Sequence, residues 1–450
     1  MKTTDTTSTS LAKQLGRRMA DAVDRATVDS VGNWRIRRFE VSCHHPLSET
    51  VAWEAPESLV YSVKPNSDTE VLGVGCAISI EERDMKRVRR RMVELDFPKA
   101  VSWFGAFPFD AWQVNAGIWR GWPPGLWMVP RLTLRRRAGE NIVHCTIVSE
   151  RTWNRVDGHD WLETCLLPLV AQAATSSSAW LRQAGAIAEE RHFSQLVDRA
   201  LDAIHSGRFD KVVLARQSPM RVQQPLSEVL ARLVKQSTTA HVFALHWHED
   251  WFLGASPEEL ARVEEGQIFV DCLAGSTRRG RTSIEDLALS RELLESAKNK
   301  AEHGAVVDFV TGRLRAFATD VSYPPQPGLK RLPTVQHLHT PVTATLRPGI
   351  HLLEVAASLH PTPAIAGLPR QPALDFIERE EGWNRGYYAG GVGLLNGRGD
   401  GLLSVALRTA LVRYPDALLF AGCGIVDGSV GEDEWRETEL KLAPMKSALS

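Results

Sequence analysis

A glycine-rich turn near the C-terminal end of this 450-residue chain restricts the folds that it can adopt. The segments Tyr387–Leu395 and Leu402–Val412 have the composition of strands, and the turn Asn396–Gly401 separates them. Because Asn and Gly tolerate the positive φ angles of tight turns, this pattern predicts an antiparallel hairpin. Gly390–Gly397 superficially resembles a dinucleotide-binding fingerprint, but its G-x-G-x-x-G spacing fails and no helix follows. We therefore exclude a Rossmann site.

Helical periodicity is mixed with such strands along the chain. Apolar residues from Phe193 to Ile204 recur at helical spacing, Gly207 can cap that helix, and a strand is predicted at Phe209–Arg216. A second helical region is predicted from Ser283 to Phe317, with one break near Gly304. Together these elements predict an α+β chain.

The N-terminal half has a similar mixture with more strand. A helix is predicted around Leu11–Ala26 and a strand at Trp34–Val41. Ala171–Gly185, which contains three consecutive serines, has the composition of a connector. Tryptophans that include Trp112, Trp119, Trp122 and Trp127 are concentrated in this half, and we expect them to pack in a core.

Charge and cysteine content restrict the functional class. The formal net charge is −1 and 24% of residues are charged, which gives no basis for binding nucleic acid. The six cysteines include no C-x-x-C pair and therefore suggest neither a zinc site nor a disulfide framework. No secretory signal or membrane-spanning run is visible, so we expect a cytoplasmic protein without a membrane partner.

One segment close to the C-terminus has the features of a site. Glu434, Glu437 and Lys441 fall on one face of a predicted helix, just after the small-residue segment Ala421–Val426. Two carboxylates so close favour a hard cation between them, and Mg²⁺ is a natural occupant. The alternative is a surface helix with an i, i+4 Glu437–Lys441 pair.

Three further residues have both a structural and a catalytic interpretation. Lys211 lies in an otherwise apolar strand, either as an edge-strand lysine or as a base whose surroundings favour the neutral amine. Glu258 follows a Ser-Pro turn and is either a carboxylate at a helix N-terminus or a general acid at a strand end. Glu302 is either an exposed helix residue or a metal ligand that would meet Glu437.

Taken together, ten segments in order resemble the chorismate-utilising enzymes, a family that includes isochorismate, salicylate, anthranilate and aminodeoxychorismate synthases. The resemblance covers about residues 191–450 and is loose before that, at Trp103–Asp110. The matching segments are Phe209–Arg216, Gly254–Leu260, Leu273–Gly280, Ala301–His303, Val335–Val342, Leu359–Ala364, Tyr387–Gly393, Val405–Thr409, Ala421–Val426 and Glu434–Lys441.

The resemblance implies an α+β fold like that of anthranilate synthase component I. Two layered, largely antiparallel sheets would be surrounded by helices, with the active site in the cleft between them. Residues 1–190 would form a variable N-terminal half of the same body, and residues 191–450 the chorismate-binding catalytic region.

It also implies a role for individual residues. Lys211 would be the base that activates water, Glu258 the acid that protonates the departing hydroxyl, and Glu302 and Glu437 the Mg²⁺ ligands, with Glu434 nearby. The residues that would line the substrate pocket are Gly275, Ser276, His337, Ala364, Tyr388, Arg408, Gly422, Gly424 and Lys441. Cations suit this pocket because chorismate is a dianion.

Two positions distinguish members of the family. Those that use ammonia to form anthranilate lack a lysine at the position of Lys211, and those that form aminodeoxychorismate use a lysine where this chain has Ala274. Leu359–Ala364 and the last helix resemble isochorismate synthases more than salicylate synthases. We therefore expect Mg²⁺-dependent, reversible conversion of chorismate to isochorismate, with salicylate synthesis as the alternative.

Further expectations concern partners and metal affinity. We expect a monomer that needs no glutamine amidotransferase subunit, and its Trp-rich first half resembles menaquinone-type members slightly more than siderophore-type ones. Asn299 stands where many relatives carry an acidic residue, which we expect to weaken metal binding. A non-catalytic binding module, in which the acidic and basic residues are surface pairs, is the interpretation from a different class.

Overall fold

A computed structural model describes residues 4–50, 58–64, 69–110, 117–137, 139–150, 155–166, 190–237, 239–331 and 335–450. The helices within these ranges are α1 Thr4–Val23, α2 Leu47–Thr50, α3 Met85–Leu95, α4 Arg155–Thr164, α5 Glu190–His205, α6 Leu226–Gln236, α7 Ser283–Glu295, α8 Ala297–Leu314, α9 Leu352–Leu359, α10 Arg370–Glu380 and α11 Gly431–Leu449. The predicted connector Ala171–Gly185 lies outside the described residues.

The strands follow the same numbering along the chain. They are β1 Thr27–Val31, β2 Trp34–Ser42, β3 Leu59–Lys64, β4 Thr69–Ile80, β5 Ser102–Phe107, β6 Leu126–Arg137, β7 Ile142–Glu150, β8 Lys211–Arg221, β9 His241–Trp247, β10 Asp250–Ser256, β11 Glu259–Glu264, β12 Gln267–Arg278, β13 Ala318–Ser322, β14 Gly328–Arg331, β15 Val335–Leu346, β16 Gly367–Leu368, β17 Gly391–Asn396, β18 Gly401–Val405, β19 Thr409–Arg413 and β20 Asp416–Val426.

Antiparallel pairing joins these strands into two layers that share the long strand β6. The first layer runs in the order β1-β2-β7-β6-β4-β3-β9-β10-β19-β20-β8-β16. The second layer leaves β6 through β5 and runs β5-β17-β18-β11-β12-β15, with β13 and β14 both paired to β15. Strands from both halves of the chain therefore pair in each layer.

Alternation along the strands of the first layer gives the molecule two buried clusters. On β9, Phe243 and Leu245 join inner residues of the second layer, such as Phe104, in the cluster between the layers. Val242 and Ala244 point the other way and pack with helices that include α1, α6 and α11. The layered α+β architecture expected from the resemblance is thus observed.

Buried tryptophans belong to the inner cluster. Trp103, Trp119, Trp122 and Trp127 are each almost fully buried, and Trp119 packs edge-on against Phe252 with ring centroids 5.5 Å apart. The predicted core role of Trp119, Trp122 and Trp127 is confirmed, whereas Trp112 lies outside the described residues. None of the described helices is both long enough and apolar enough to cross a membrane.

Two predicted boundaries were wrong. The long helical region breaks at Ser296 and not near Gly304, because the Ser296 side chain accepts a hydrogen bond from the backbone N–H of Asn299 and caps α8. The predicted strand Leu402–Val412 is two strands, β18 and β19, which belong to different layers. The chain crosses between the layers at Arg408, whose φ is +53°.

A second crossing runs beside the first. The chain leaves β10 in the first layer and enters β11 in the second through Pro257 and Glu258. The backbone N–H of Val405 donates to the carbonyl of Glu258 at 3.0 Å, and that of Ala255 donates to the carbonyl of Arg408 at 3.2 Å. Glu258 and Arg408 are therefore held side by side where the two layers meet.

Candidate active site

Lys211 begins β8 in the first layer and has a strand on both sides. Its Cα partners are Leu368 on β16 and Val426 on β20, so the interpretation as an edge-strand lysine is wrong. Its Nζ donates to Oε1 of Glu302 on α8 at 2.7 Å. The two side chains are largely buried, with 19% and 29% of their surfaces exposed. The structure therefore joins the predicted base to a predicted metal ligand.

Glu258 lies at the crossing into β11, and the alternative of a helix N-terminus is wrong because a strand follows it. Its side chain keeps partial access to solvent. Burial raises the pKa of its carboxyl to about 7, although the charges of Arg408, Lys211, Lys441 and Lys330 act to lower it. The same cations that would attract an anionic ligand thus surround a carboxyl that is half protonated near neutral pH.

The carboxylates of α11 have different partners. Glu437 accepts a hydrogen bond from Lys441 in the i, i+4 pair expected of a surface helix, but Lys441 also donates to the backbone carbonyl of Gly422 at 2.9 Å. Oε1 of Glu434 accepts from the Ser429 hydroxyl at 2.7 Å, while its Oε2 is buried without a hydrogen-bond partner. Burial raises the pKa of Glu434, and the nearby charge of Glu437 adds to that increase.

The donor chemistry of these acids suits Mg²⁺. Glu302, Glu434 and Glu437 offer hard carboxylate oxygens, and the buried Oε2 of Glu434 still needs a partner. In the described part of the chain, no three His, Cys, Asp or Glu side chains converge closely enough to hold an ion as they stand. Two of the three carboxylates are bound by Lys211 and Lys441.

Small residues of β20 border the predicted base. Gly422 and Gly424 lie opposite Ala215 and Val213 on β8. A Cβ placed on Gly424 would lie 2.9 Å from Cε of Lys211. The absence of a side chain at this position therefore leaves the space that the lysine occupies.

Tyr388 is buried beside these glycines, and Arg408 is half-buried. The Tyr388 ring stacks on Phe420 with centroids 5.3 Å apart, and its hydroxyl lies 3.1 Å from a Cβ placed on Gly422. Burial lowers the pKa of Arg408, which the charges of Tyr388, Glu437 and Glu258 partly offset. A half-buried guanidinium is suited to binding a carboxylate.

The second layer contributes the opposite wall. Oγ of Ser276 lies 2.7 Å from Nδ1 of His337, across a bulge at Gly275 where φ is +70°. Burial lowers the pKa of His337 to about 4, and the charges of Lys441, Lys330 and Arg408 contribute. His337 is therefore neutral at physiological pH and can exchange hydrogen bonds but supplies no charge.

Two other predicted positions lie at the edge of this region. Ala364 lies in the turn before β16. This turn is joined to β8 by a hydrogen bond from the Val213 N–H to the Ala366 carbonyl at 2.8 Å. Asn299 contacts the bulge, since a Cβ on Gly275 would lie 3.1 Å from its Cβ, and its Nδ2 donates to Ser296. The weaker metal binding expected from Asn299 stays a prediction.

Sequence reasoning missed Lys330. It lies on β14 opposite His337, its Nζ donates to Oδ2 of Asp271 at 2.7 Å, and Oδ1 of Asp271 lies 2.8 Å from Nε2 of His339. Its charge acts on both Glu258 and His337. The sequence does show that His337 and His339 share one face of a strand. It does not show that β14 pairs with β15, and this pairing is what brings Lys330 to that face.

Alanine substitutions at the two glycines of β20 should separate activity from stability. Gly424→Ala would push against the flexible end of Lys211, so we expect at least a tenfold fall in turnover with little change in thermal stability, since roughly tenfold follows from a small misplacement of a catalytic group. Gly422→Ala would meet the rigid carbonyl oxygen of Leu214 at 2.7 Å and should cost about 1–3 kcal/mol of stability. Thermal unfolding and turnover of both variants check this, and full activity in Gly424→Ala would contradict it.

Comparison with known proteins identifies the family. The model of the family described as chorismate binding enzymes matches residues 39–450. The chain belongs to this family. It is 34% identical to the salicylate biosynthesis isochorismate synthase of Pseudomonas aeruginosa, over 96% of this chain and 92% of that protein. It is also 34% identical to the isochorismate synthase MenF of Bacillus subtilis, over 77% of this chain and 74% of that protein.

Solved structures agree with this assignment. The menaquinone-specific isochorismate synthase MenF of Escherichia coli superposes with a TM-score of 0.77 at 25% identity, covering 98% of this chain and all of that one. Anthranilate synthase component I of Streptococcus pneumoniae gives 0.64 at 19% identity, covering 94% of both chains, and shows the shared fold. The family and the fold predicted from the sequence are both confirmed, and the roles of individual residues stay predictions.

Proposed function

We propose that this chorismate-binding enzyme is an isochorismate synthase that reversibly converts chorismate to isochorismate. The observation that carries the proposal is the placement of Lys211 and Glu258, an amine and a carboxyl of pKa about 7, in one cation-rich region where the two sheet layers meet. Near-complete coverage of an isochorismate synthase at 34% identity supports it.

In this proposal, the reaction is an exchange of hydroxyl positions on the ring. Nζ of Lys211 takes a proton from water while the water oxygen bonds to C2, the ring double bond shifts, and the C4–oxygen bond breaks. Glu258 donates a proton to the departing oxygen, which leaves as water. Lys211 has then gained one proton and Glu258 has lost one, so both return to their starting states by exchange with solvent. Each such transfer contributes about 10²–10⁴-fold to the rate.

Other residues of the site would bind and orient the dianion. Arg408 and Lys441 supply positive charge, Gly422 and Gly424 expose backbone, and Tyr388, Ser276 and His337 supply hydrogen bonds. Glu302, Glu434 and Glu437 would hold Mg²⁺, which when bound neutralises and orients a substrate carboxylate. Ala364 and Gly275 would border the pocket. We assign this chemistry to residues 191–450, with residues 1–190 completing both layers.

Water as the nucleophile has a further consequence. Ala274 occupies the position at which aminodeoxychorismate-forming members carry a lysine nucleophile, so no covalent amine intermediate is expected. An enzyme that uses water needs no ammonia, and we therefore propose that the chain acts without an amidotransferase subunit. Relatives named for both menaquinone and salicylate biosynthesis match the chain, so the proposal ends at isochorismate.

Product analysis tests the proposal directly. The purified protein, incubated with chorismate and Mg²⁺, should give isochorismate by chromatography, approach the same equilibrium mixture from isochorismate, and stop in excess EDTA. Salicylate with equimolar pyruvate would make it a salicylate synthase instead. If no product forms while chorismate stabilises the protein against heat, the chain is a binding module and the proposal fails.

A further inference from the structure

Two lysines occupy the carboxylates that the proposed metal ion would need. Lys211 binds Glu302 with Nζ 2.7 Å from Oε1, and Lys441 binds Glu437 while also donating to the Gly422 carbonyl. Glu434 differs from both, because a neutral hydroxyl from Ser429 fixes one of its oxygens and the other is buried without a partner. Each ammonium thus holds one oxygen of an acid that the proposed metal ion would use, whereas Glu434 is held by a neutral hydroxyl.

The positive charges around these carboxylates would oppose the binding of a divalent cation. Lys211, Lys441, Arg408 and Lys330 all act on the carboxyl of Glu258, so four positive charges surround one region. A divalent cation entering that region is repelled by the ammonium groups and would bind the same carboxylates. Because each ammonium holds one oxygen of its carboxylate and places a positive charge beside the other, an ammonium and a divalent cation on the same carboxylate destabilise each other.

We propose that Lys211 and Lys441 compete with the divalent cation for Glu302 and Glu437, so that metal binding releases both lysines to the substrate. This inference rests on the metal site of the proposed function and extends it to the exchange of charges that accompanies metal binding.

Release of the lysines couples metal to substrate. An ammonium paired with a carboxylate attracts a second anion weakly, whereas a released one is available to a dianion. The metal ion therefore increases the affinity for chorismate beyond its own contacts, and by linkage chorismate increases the affinity for the metal ion by the same factor. The exchange also detaches Lys211 from Glu302, and its ammonium must then pass one proton to solvent, which leaves the neutral amine that the proposed base requires.

Calorimetric titration with Mg²⁺ in the absence of substrate tests the competition. Lys211→Met and Lys441→Met, made separately, should each bind Mg²⁺ about tenfold more tightly than the wild type, because one repulsive competitor is removed. Lys330→Met is the matched control, since it removes a lysine of the same region that is paired with Asp271. Its Mg²⁺ affinity should change by less than about threefold, the scale of a screened charge whose ammonium is paired with Asp271 and not with a proposed metal ligand.

The outcomes separate this inference from the proposed function. Glu302→Gln and Glu437→Gln should weaken Mg²⁺ binding; if neither does, the metal site itself is wrong. If both do, yet the Lys211 and Lys441 variants bind Mg²⁺ no more tightly than wild type, the competition is wrong and the metal site stands. Equal tightening in Lys330→Met would also overturn it, because general charge would then explain the effect.

A second measurement uses the unmodified protein and so does not depend on the folding of any variant. Lysines are acetylated briefly with and without Mg²⁺, and modification is quantified by peptide mass spectrometry. Relative to Lys330, modification of Lys211 and Lys441 should rise at least threefold when Mg²⁺ is added, since their carboxylate partners are withdrawn. Unchanged or lower ratios would overturn the proposal.

Discussion

Replacing Lys211 with methionine should reduce isochorismate formation by about 10²–10⁴-fold, the usual contribution of a general base. Methionine is unbranched like lysine and keeps most of the side chain that lies beside Gly424, and it removes the amine that reaches Glu302. Chorismate should still bind, because Arg408 and Lys441 remain to neutralise its carboxylates. Turnover measured by chromatography and binding measured by tryptophan fluorescence check the two halves of this expectation.

Lys330→Met is the matched control for that loss. Lys330 is a lysine of the same region that reaches Asp271 and lies on the opposite layer. Its removal should change turnover by less than about tenfold, consistent with a charge that acts at a distance. A Lys211→Met enzyme within tenfold of wild type would remove Lys211 from the mechanism, and equal losses in both variants would show that only net charge matters.

The parts of this protein that were predictable from sequence are those set by local pattern. Helix α5 and strand β8 were located by helical spacing and by the apolar run from Phe209, because burial of one helix face or one strand dictates those periods. The helix that carries Glu437 and Lys441, and the face that these two residues share, are local in the same sense. Family resemblance then supplied the layered fold, which no single segment shows.

The rest depended on pairing between distant segments. Nothing around Lys211 shows that the two-residue strand β16 covers its outer side, or that Glu302 lies within 2.7 Å of its amine. Leu402–Val412 contains no Gly or Pro, so the sequence did not indicate that the chain crosses between the layers at Arg408. At that crossing a non-glycine residue adopts a positive φ, and the turn places a half-buried guanidinium beside Glu258.

Glu258→Gln should remove about 10²–10⁴-fold of activity and at the same time stabilise the protein above pH 7. The carboxyl has a pKa of about 7 in the folded protein against 4.5 as the reference for the unfolded chain. A raised folded-state pKa gives a contribution to stability that is complete below pH 4.5 and is lost as the pH rises through 7. Glutamine is neutral throughout and avoids that loss.

The difference should therefore depend on pH. At pH 4 the carboxyl is largely neutral in both the folded and the unfolded wild type, so the two proteins should unfold at nearly the same temperature, whereas at pH 8 the variant should be more stable by about 2 kcal/mol, a value reduced for the partial solvent access of the side chain. Thermal unfolding at the two pH values measures this, with the exposed Glu292→Gln as a control that should follow the wild type. An equal or less stable Glu258→Gln at pH 8 would mean that Glu258 ionises as an ordinary surface acid. Such a group is fully deprotonated at neutral pH, and it would lack the proton that the departing hydroxyl requires.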